Sequence, residues 1–122
     1  MVLVDTSVWI NHFNRNDIKL SDLLEEGKVV IHTFIIGELS CGKIKNRAEI
    51  LTLLQNLPRT SILTLDEYLV FIESNKLMGK GLGFVDIHLL GSSALTGSKL
   101  FTYDKKFNEA AKSLSINFKK IS

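Results

Sequence analysis

The sequence predicts an α/β fold of three layers, α/β/α, built around a central and mainly parallel sheet. Short apolar runs rich in Val, Ile and Leu alternate along the chain with segments of helical periodicity. That alternation persists from the first residues to the last, as it does where strand and helix follow one another in crossover units. A length of 122 residues, 45% hydrophobic and 23% charged, suits one core of ordinary size in a globular chain. One domain over residues 1–122 is therefore expected, without repeat, linker or low-complexity tract.

The elements are expected in this order. VLV (2–4) is a short strand, followed by the helical segments VWINHF and IKLSDLLEE, which the polar turn NRND separates. KVVIH (28–32) is a second strand; helices through FIIGELSCG and RAEILTLLQNL follow, the latter closed by Pro58. SILTL (61–65) reads as a third strand, and Thr64 with Glu67 as a capping box opening the helix EYLVFIESNKLM. After the loop GKGLG, a helix is expected from about Asp86 to Leu95, then the strand KLFT (99–102), the helix KKFNEAAKSL and a last strand, INFKK (116–120).

In a parallel sheet with right-handed crossovers, strand C-termini and the N-termini of the following helices share one edge. Asp5 follows the first strand, Glu38 lies near the start of the helix after KVVIH, Asp86 opens its helix, and Asp104 follows KLFT by one residue. These four acids are expected to converge. Unpaired, such a cluster repels itself until some members protonate, and a hard divalent cation such as Mg²⁺ or Mn²⁺ relieves that cost. Asp5, Asp86 and Asp104 each have an alternative role as helix N-caps. Glu38 is harder to explain that way, because FIIGEL places it among apolar residues expected to face the core. Asp66 and Glu67 sit at the same edge, but Thr64 gives them a capping role and they are left out of the site.

Other features narrow the function. The net charge of +2 is uneven, with 7 Lys/Arg against 10 Asp/Glu in residues 1–75 and 8 against 3 in residues 76–122. This permits a polyanionic partner, and a solvated lysine face is an equal alternative. No basic leader and no apolar run long enough to span a bilayer are evident, so a cytoplasmic location without membrane attachment is expected. The lone Cys41 suits a small core residue. His12, His32 and His88 share no metal-ligand spacing, and His32 in its apolar strand suits the core. GKGLGF lacks the ending of a phosphate loop and reads as a flexible connection to Asp86. Trp9, Ile10 and Phe13 form a stripe expected in the core or at an interface.

Four segments, VLVDTSVWI, TFIIGELSCG, GFVDIHLLGSSAL and KLFTYDKKF, resemble in order the signature segments of PIN-domain ribonucleases, most closely the VapC-type toxins of toxin–antitoxin pairs. The resemblance covers essentially the whole chain. It implies a PIN-like fold and catalytic acids at Asp5, Glu38, Asp86 and Asp104, with a cation at Asp5 and Asp86 and a possible share for Glu38 and Asp104. Thr6, Ser7 and Thr102 match the hydroxyl residues that support the acids, Thr6 or Ser7 capping the helix and orienting the Asp5 carboxylate. His88 and Gly91 depart from the Ala common in relatives and concern only local packing. The implied activity is Mg²⁺- or Mn²⁺-dependent hydrolysis of RNA phosphodiesters. Lys43, Lys45, Lys80, Lys105 and Lys106 would then contact phosphates. A cognate antitoxin and a homodimer are the implied partners. The alternatives are a non-toxin processing nuclease of the same fold, or a PIN-like scaffold that binds RNA or protein without cleaving. A phosphoacceptor receiver domain fits poorly, since it needs adjacent acids after the first strand.

Overall fold

The computed structural model describes residues 1–119. Lys120, the last residue of the INFKK segment, lies outside the described residues. The elements run β1 (Val2–Val4), α1 (Thr6–Arg15), α2 (Ile18–Glu25), β2 (Val29–Val30), α3 (Thr33–Ser40), α4 (Arg47–Asn56), α5 (Leu65–Ser74), α6 (Phe84–Thr96), β3 (Lys99–Phe101) and α7 (Lys105–Ser113). The three strands form one parallel sheet in the order β2-β1-β3. From the central β1 the chain steps to one edge through α1 and α2, then crosses back to the other through α3 to α6. Crossovers running in opposite directions from a central strand are what cover both faces of a doubly wound sheet.

The strands are short because each carries few apolar residues before a polar one ends it. All three residues of β1 are buried, as expected for a strand with neighbours on both sides. Leu3, Val4, Ile31, Ile35, Leu89, Leu90 and Leu100 are wholly shielded from water and tie the sheet to α3 and α6.

Two expected strands are reduced to single bridges. SILTL is not a strand: pairing occurs earlier, where Arg59 bridges Ile31, and Leu65 already belongs to α5. Pro58, which offers a carbonyl but no N–H, accepts from the Ile31 amide at 2.8 Å, and Thr60 donates back to Ile31 at 3.0 Å. The capping box then claims Thr64, whose amide donates to Glu67 Oε1 at 2.8 Å while the Glu67 amide donates to Thr64 Oγ1 at 3.1 Å. Among the described residues, the last segment pairs only at Asn117 with Leu100. Asp66 lies in the first turn of α5 and Glu67, not Asp66, closes the box. Glu67→Ala should therefore lower stability by about 1 kcal/mol in chemical unfolding and leave any activity per folded molecule intact.

One further expectation is corrected. Cys41 is exposed rather than in the core, because it follows the last turn of α3. Gly91 fills a packing requirement on α6: a Cβ there would stand 2.3 Å from Leu63 Cδ1 and 3.4 Å from a Phe71 ring carbon. Gly91→Ala should cost about 1–3 kcal/mol by overpacking this contact, read as a lower midpoint in urea.

Candidate active site

The register of the sheet builds the site. Val4 pairs with Phe101, so Asp5 emerges from β1 beside Thr102 on the adjacent chain end, and the Asp5 amide still donates to the Phe101 carbonyl at 2.9 Å. Asp5 occupies the N-cap position of α1, but its side chain makes no capping bond. Its Oδ2 accepts instead from Thr102 Oγ1 at 2.7 Å and from Ser7 Oγ at 2.9 Å. Neither Thr6 nor Ser7 caps the helix: Ser7 and Thr102 hold the Asp5 carboxylate, while Thr6 Oγ1 donates to Glu38 Oε1 at 2.8 Å. Thr102 Oγ1 in turn accepts from the Asp104 amide, and Ser7 Oγ from the Tyr103 amide, each at 3.1 Å. The ends of β1 and β3 are thus stitched together around one nearly buried carboxylate.

The other acids arrive from three helices. Glu38 is in the second turn of α3, not near its start, and it is exposed. The apolar neighbours Ile35 and Leu39 turn inward, which leaves Glu38 at the flank of that buried stripe, where Thr6 reaches it. Asp104 is exposed and caps α7, with Oδ1 accepting from the Phe107 amide at 2.9 Å. Asp86 is the third residue of α6, not the first, and its Oδ2 accepts from the Gly83 amide at 3.1 Å. Burial pushes the Asp86 carboxyl above its ordinary value, against the pull of the Gly83 bond, and the charges of Asp5 and Asp104 push it further.

The donor set is oxygen throughout, the chemistry that hard divalent cations select. Among the described residues, no three His, Cys, Asp or Glu side chains stand in a group that could hold an ion as they are placed. Asp5, Asp86 and Asp104 each commit one oxygen to a protein donor, and it is the carboxylate chemistry of this set that fits a hard cation.

A second network, unread in the sequence, backs the site. Asp17, buried at the N-cap of α2, accepts from the Leu20 amide at 2.9 Å, from Asn11 Nδ2 at 2.8 Å and from the Tyr103 hydroxyl at 2.5 Å. Burial works to raise the Asp17 carboxyl, but the bonds from Tyr103, Leu20 and Asn11, with nearby His12, outweigh it and hold it below the usual value. Burial, reinforced by Asp17, pushes the Tyr103 hydroxyl up to about 12. The turn NRND is therefore anchored to the residue beside Asp104. The only signal for this was Asp17 three residues ahead of the apolar Leu20, a capping pattern.

The histidines stand apart from the acids. His32 is fully buried and caps α3, its Nδ1 accepting from the Phe34 amide at 2.9 Å, so its ring is neutral. Burial, with His88 nearby, lowers it to about 4. His88 is buried in an aromatic cluster, its ring stacked 4.6 Å from Tyr68 and edge-on to Phe34 and Phe84. Elsewhere, an apolar groove of about 490 Å³ is lined by Trp9 and Phe13 of α1, Leu24 of α2, and Ile50 and Leu54 of α4. Ile10 of the same stripe points away and is 48% exposed.

The PIN domain family matches residues 2–113, nearly all of the chain and all four acidic segments. The chain belongs to the PIN-domain family. Within that family it is 45% identical over 111 residues to the ribonuclease VapC32 of Mycobacterium tuberculosis, covering 90% of both chains. Solved PIN-like structures share the fold. VapBC2 from Rickettsia felis, bound to a promoter DNA fragment, superposes with a TM-score of 0.67 at 19% identity, over 89% of this chain and 92% of that one. PAE2754 from Pyrobaculum aerophilum gives 0.64 at 17% identity over 93% and 90%. FitAcB from Neisseria gonorrhoeae gives 0.61 at 18% identity over 92% and 94%.

Proposed function

We propose that this PIN domain is a metal-dependent endoribonuclease that acts as the toxin of a toxin–antitoxin pair. The observation that carries the reading is the β1–β3 register, which sets Asp5 beside Thr102 and, through the bond from the Asp104 amide to Thr102, ties the two acidic strand ends together. The identity to a VapC ribonuclease supports the same reaction class. Asp5 and Asp86 would hold Mg²⁺ or Mn²⁺, with Glu38 and Asp104 completing the acidic wall. When bound, the cation supplies positive charge at the scissile phosphate and acidifies water there. Thr102 and Ser7 fix the Asp5 carboxylate in one orientation, and Gly83 does the same for Asp86. Thr6 fixes Glu38 at the rim, where water can reach it. Lys80, Lys105 and Lys106, all exposed on the basic half of the chain, offset the negative pocket for an approaching RNA backbone.

The antitoxin would lay an apolar segment into the groove formed by α1, α2 and α4, which Trp9 and Phe13 line. A homodimer and a cytoplasmic location belong to the same reading. Among the described residues no helix is long and apolar enough to cross a membrane.

The test is cleavage of single-stranded RNA by the purified protein with Mg²⁺ or Mn²⁺. Cleavage should stop on chelation and return when the cation is restored. Expression alone should arrest growth, and co-expression of a small protein encoded beside it should relieve the arrest. RNA binding without cleavage under all these conditions would favour a PIN-like scaffold. Cleavage without growth arrest would favour a processing nuclease.

A further inference from the structure

Phe84 opens α6, two residues before Asp86 and immediately after Gly83, whose amide holds the Asp86 carboxylate. It is 55% exposed. The ring is nevertheless fixed, centred 4.5 Å from His88, 5.2 Å from Tyr68 and 6.1 Å from Phe34, the last at an interplanar angle of 28°. A phenyl ring braced by three aromatic neighbours, with more than half its surface in water, is a preformed apolar platform that folding leaves uncovered.

Its surroundings say what it would carry. The acids beside it repel phosphate, but a hydrocarbon ring carries no such charge, and every nucleobase has a π-face to lay on it. The loop leading to Phe84 also bears cations: Lys80 is exposed, and the Lys106 ammonium rests over Gly81, 3.3 Å from where a Cβ would stand. An aromatic platform with Lys80 four residues before it on the loop, and the Lys106 ammonium of α7 over Gly81 of the same loop, matches a nucleotide, base on the ring and backbone phosphate on the ammonium groups. A protein segment is better served by the apolar groove at Trp9 and Phe13, built from different helices.

We propose that Phe84 stacks an unpaired nucleobase of the RNA and thereby sets which phosphodiester lies against the acids. This rests on the ribonuclease reading and adds to it a residue that touches substrate without taking part in bond cleavage. The consequence is a requirement for single-stranded RNA at that position, because a paired base cannot present its face to the ring.

The test uses the full-length protein with Mn²⁺ and a single-stranded RNA 12-mer that the wild type cleaves. Phe84→Ala should raise KM by about tenfold, within the range of roughly five- to a hundredfold that losing one stacked base implies, and change kcat by less than about threefold. Phe84→Trp should restore KM. An abasic residue scanned along the 12-mer should find one position that weakens wild-type binding as much as Phe84→Ala does, and substitution and abasic residue together should cost no more than either alone. Unchanged far-ultraviolet circular dichroism and Mn²⁺ affinity in Phe84→Ala would establish that the variant folds with its acids in place. Equal KM in wild type and Phe84→Ala, or additive effects of substitution and abasic residue, would overturn the platform and leave the ribonuclease reading standing. Loss of antitoxin binding in Phe84→Ala with KM for RNA unchanged would make it a protein contact instead. A wild type that cleaves no RNA would sink both readings.

Discussion

Each of Asp5→Asn, Asp86→Asn, Asp104→Asn and Glu38→Gln is expected to lower RNA cleavage severely, on the order of a thousandfold for the Asp5 and Asp86 changes. The effects should not add: Asp5→Asn combined with Asp86→Asn should be barely worse than either alone, because both serve one centre. The measurement is single-turnover cleavage of one RNA by the four variants and this pair. The structure adds a signature that a folding defect cannot mimic. Asp86 is raised by burial and by two neighbouring charges, so its ionised form opposes folding. A raised carboxyl contributes stability below its unfolded value that is lost as pH rises through the folded one. In chelator near pH 7, Asp86→Asn should therefore unfold at higher temperature than the wild type while cleaving nothing. A variant both inactive and less stable would mean that Asp86 is a structural acid.

The second large effect is a loss of stability in mild acid. His32 is fully buried, its Nδ1 takes the Phe34 amide and its Nε2 has no partner among the described residues, so the folded protein admits only the neutral ring. With the folded value at about 4 and the ordinary value at 6.5, the unfolded chain binds the proton first as pH falls. Stability is complete above about 6.5, declines between 6.5 and 4, and levels off below. The full drop is about 3 kcal/mol from His32, and His88, also lowered by burial, adds to it in the same direction. Asp17 contributes in a separate window: held low, it supports the fold above 3.8 and loses that support only as pH falls further. Urea unfolding at pH 7 and pH 5 should show the decline, and His32→Asn, which keeps a capping acceptor without a titrating ring, should flatten it. An undiminished slope in His32→Asn would assign the effect elsewhere.

Much of the site was legible because its logic is local. An aspartate directly after an apolar strand, followed by Thr6 and Ser7, occupies the one place where a side chain can leave a parallel sheet and meet the next helix. Thr102 lies one residue past its own strand, so the β1–β3 register alone brings it to Asp5. What the sequence hid depended on helix rotation and on distant chain. The phase of α3 puts Ile35 and Leu39 inward and Glu38 outward, a difference that eight residues with few polar markers do not declare. SILTL has strand composition, yet Thr64 spends its hydroxyl and amide on the capping box, and the ladder bond falls at Arg59 instead. The bond between Asp17 and Tyr103 spans 86 residues and left no periodic trace. Leu63 occupies the space that a Cβ at Gly91 would need, which only the folded chain reveals.

The ribonuclease reading depends on Asp5 and Asp86 holding a divalent cation. Calorimetric titration of Mn²⁺ into the wild type, Asp5→Asn and Asp86→Asn at pH 7 tests it directly. Saturable binding to the wild type is expected, with affinity at least about tenfold weaker in each variant, because each removes one charged ligand from the same site. Equal affinity in all three proteins, or no binding by the wild type, would contradict it.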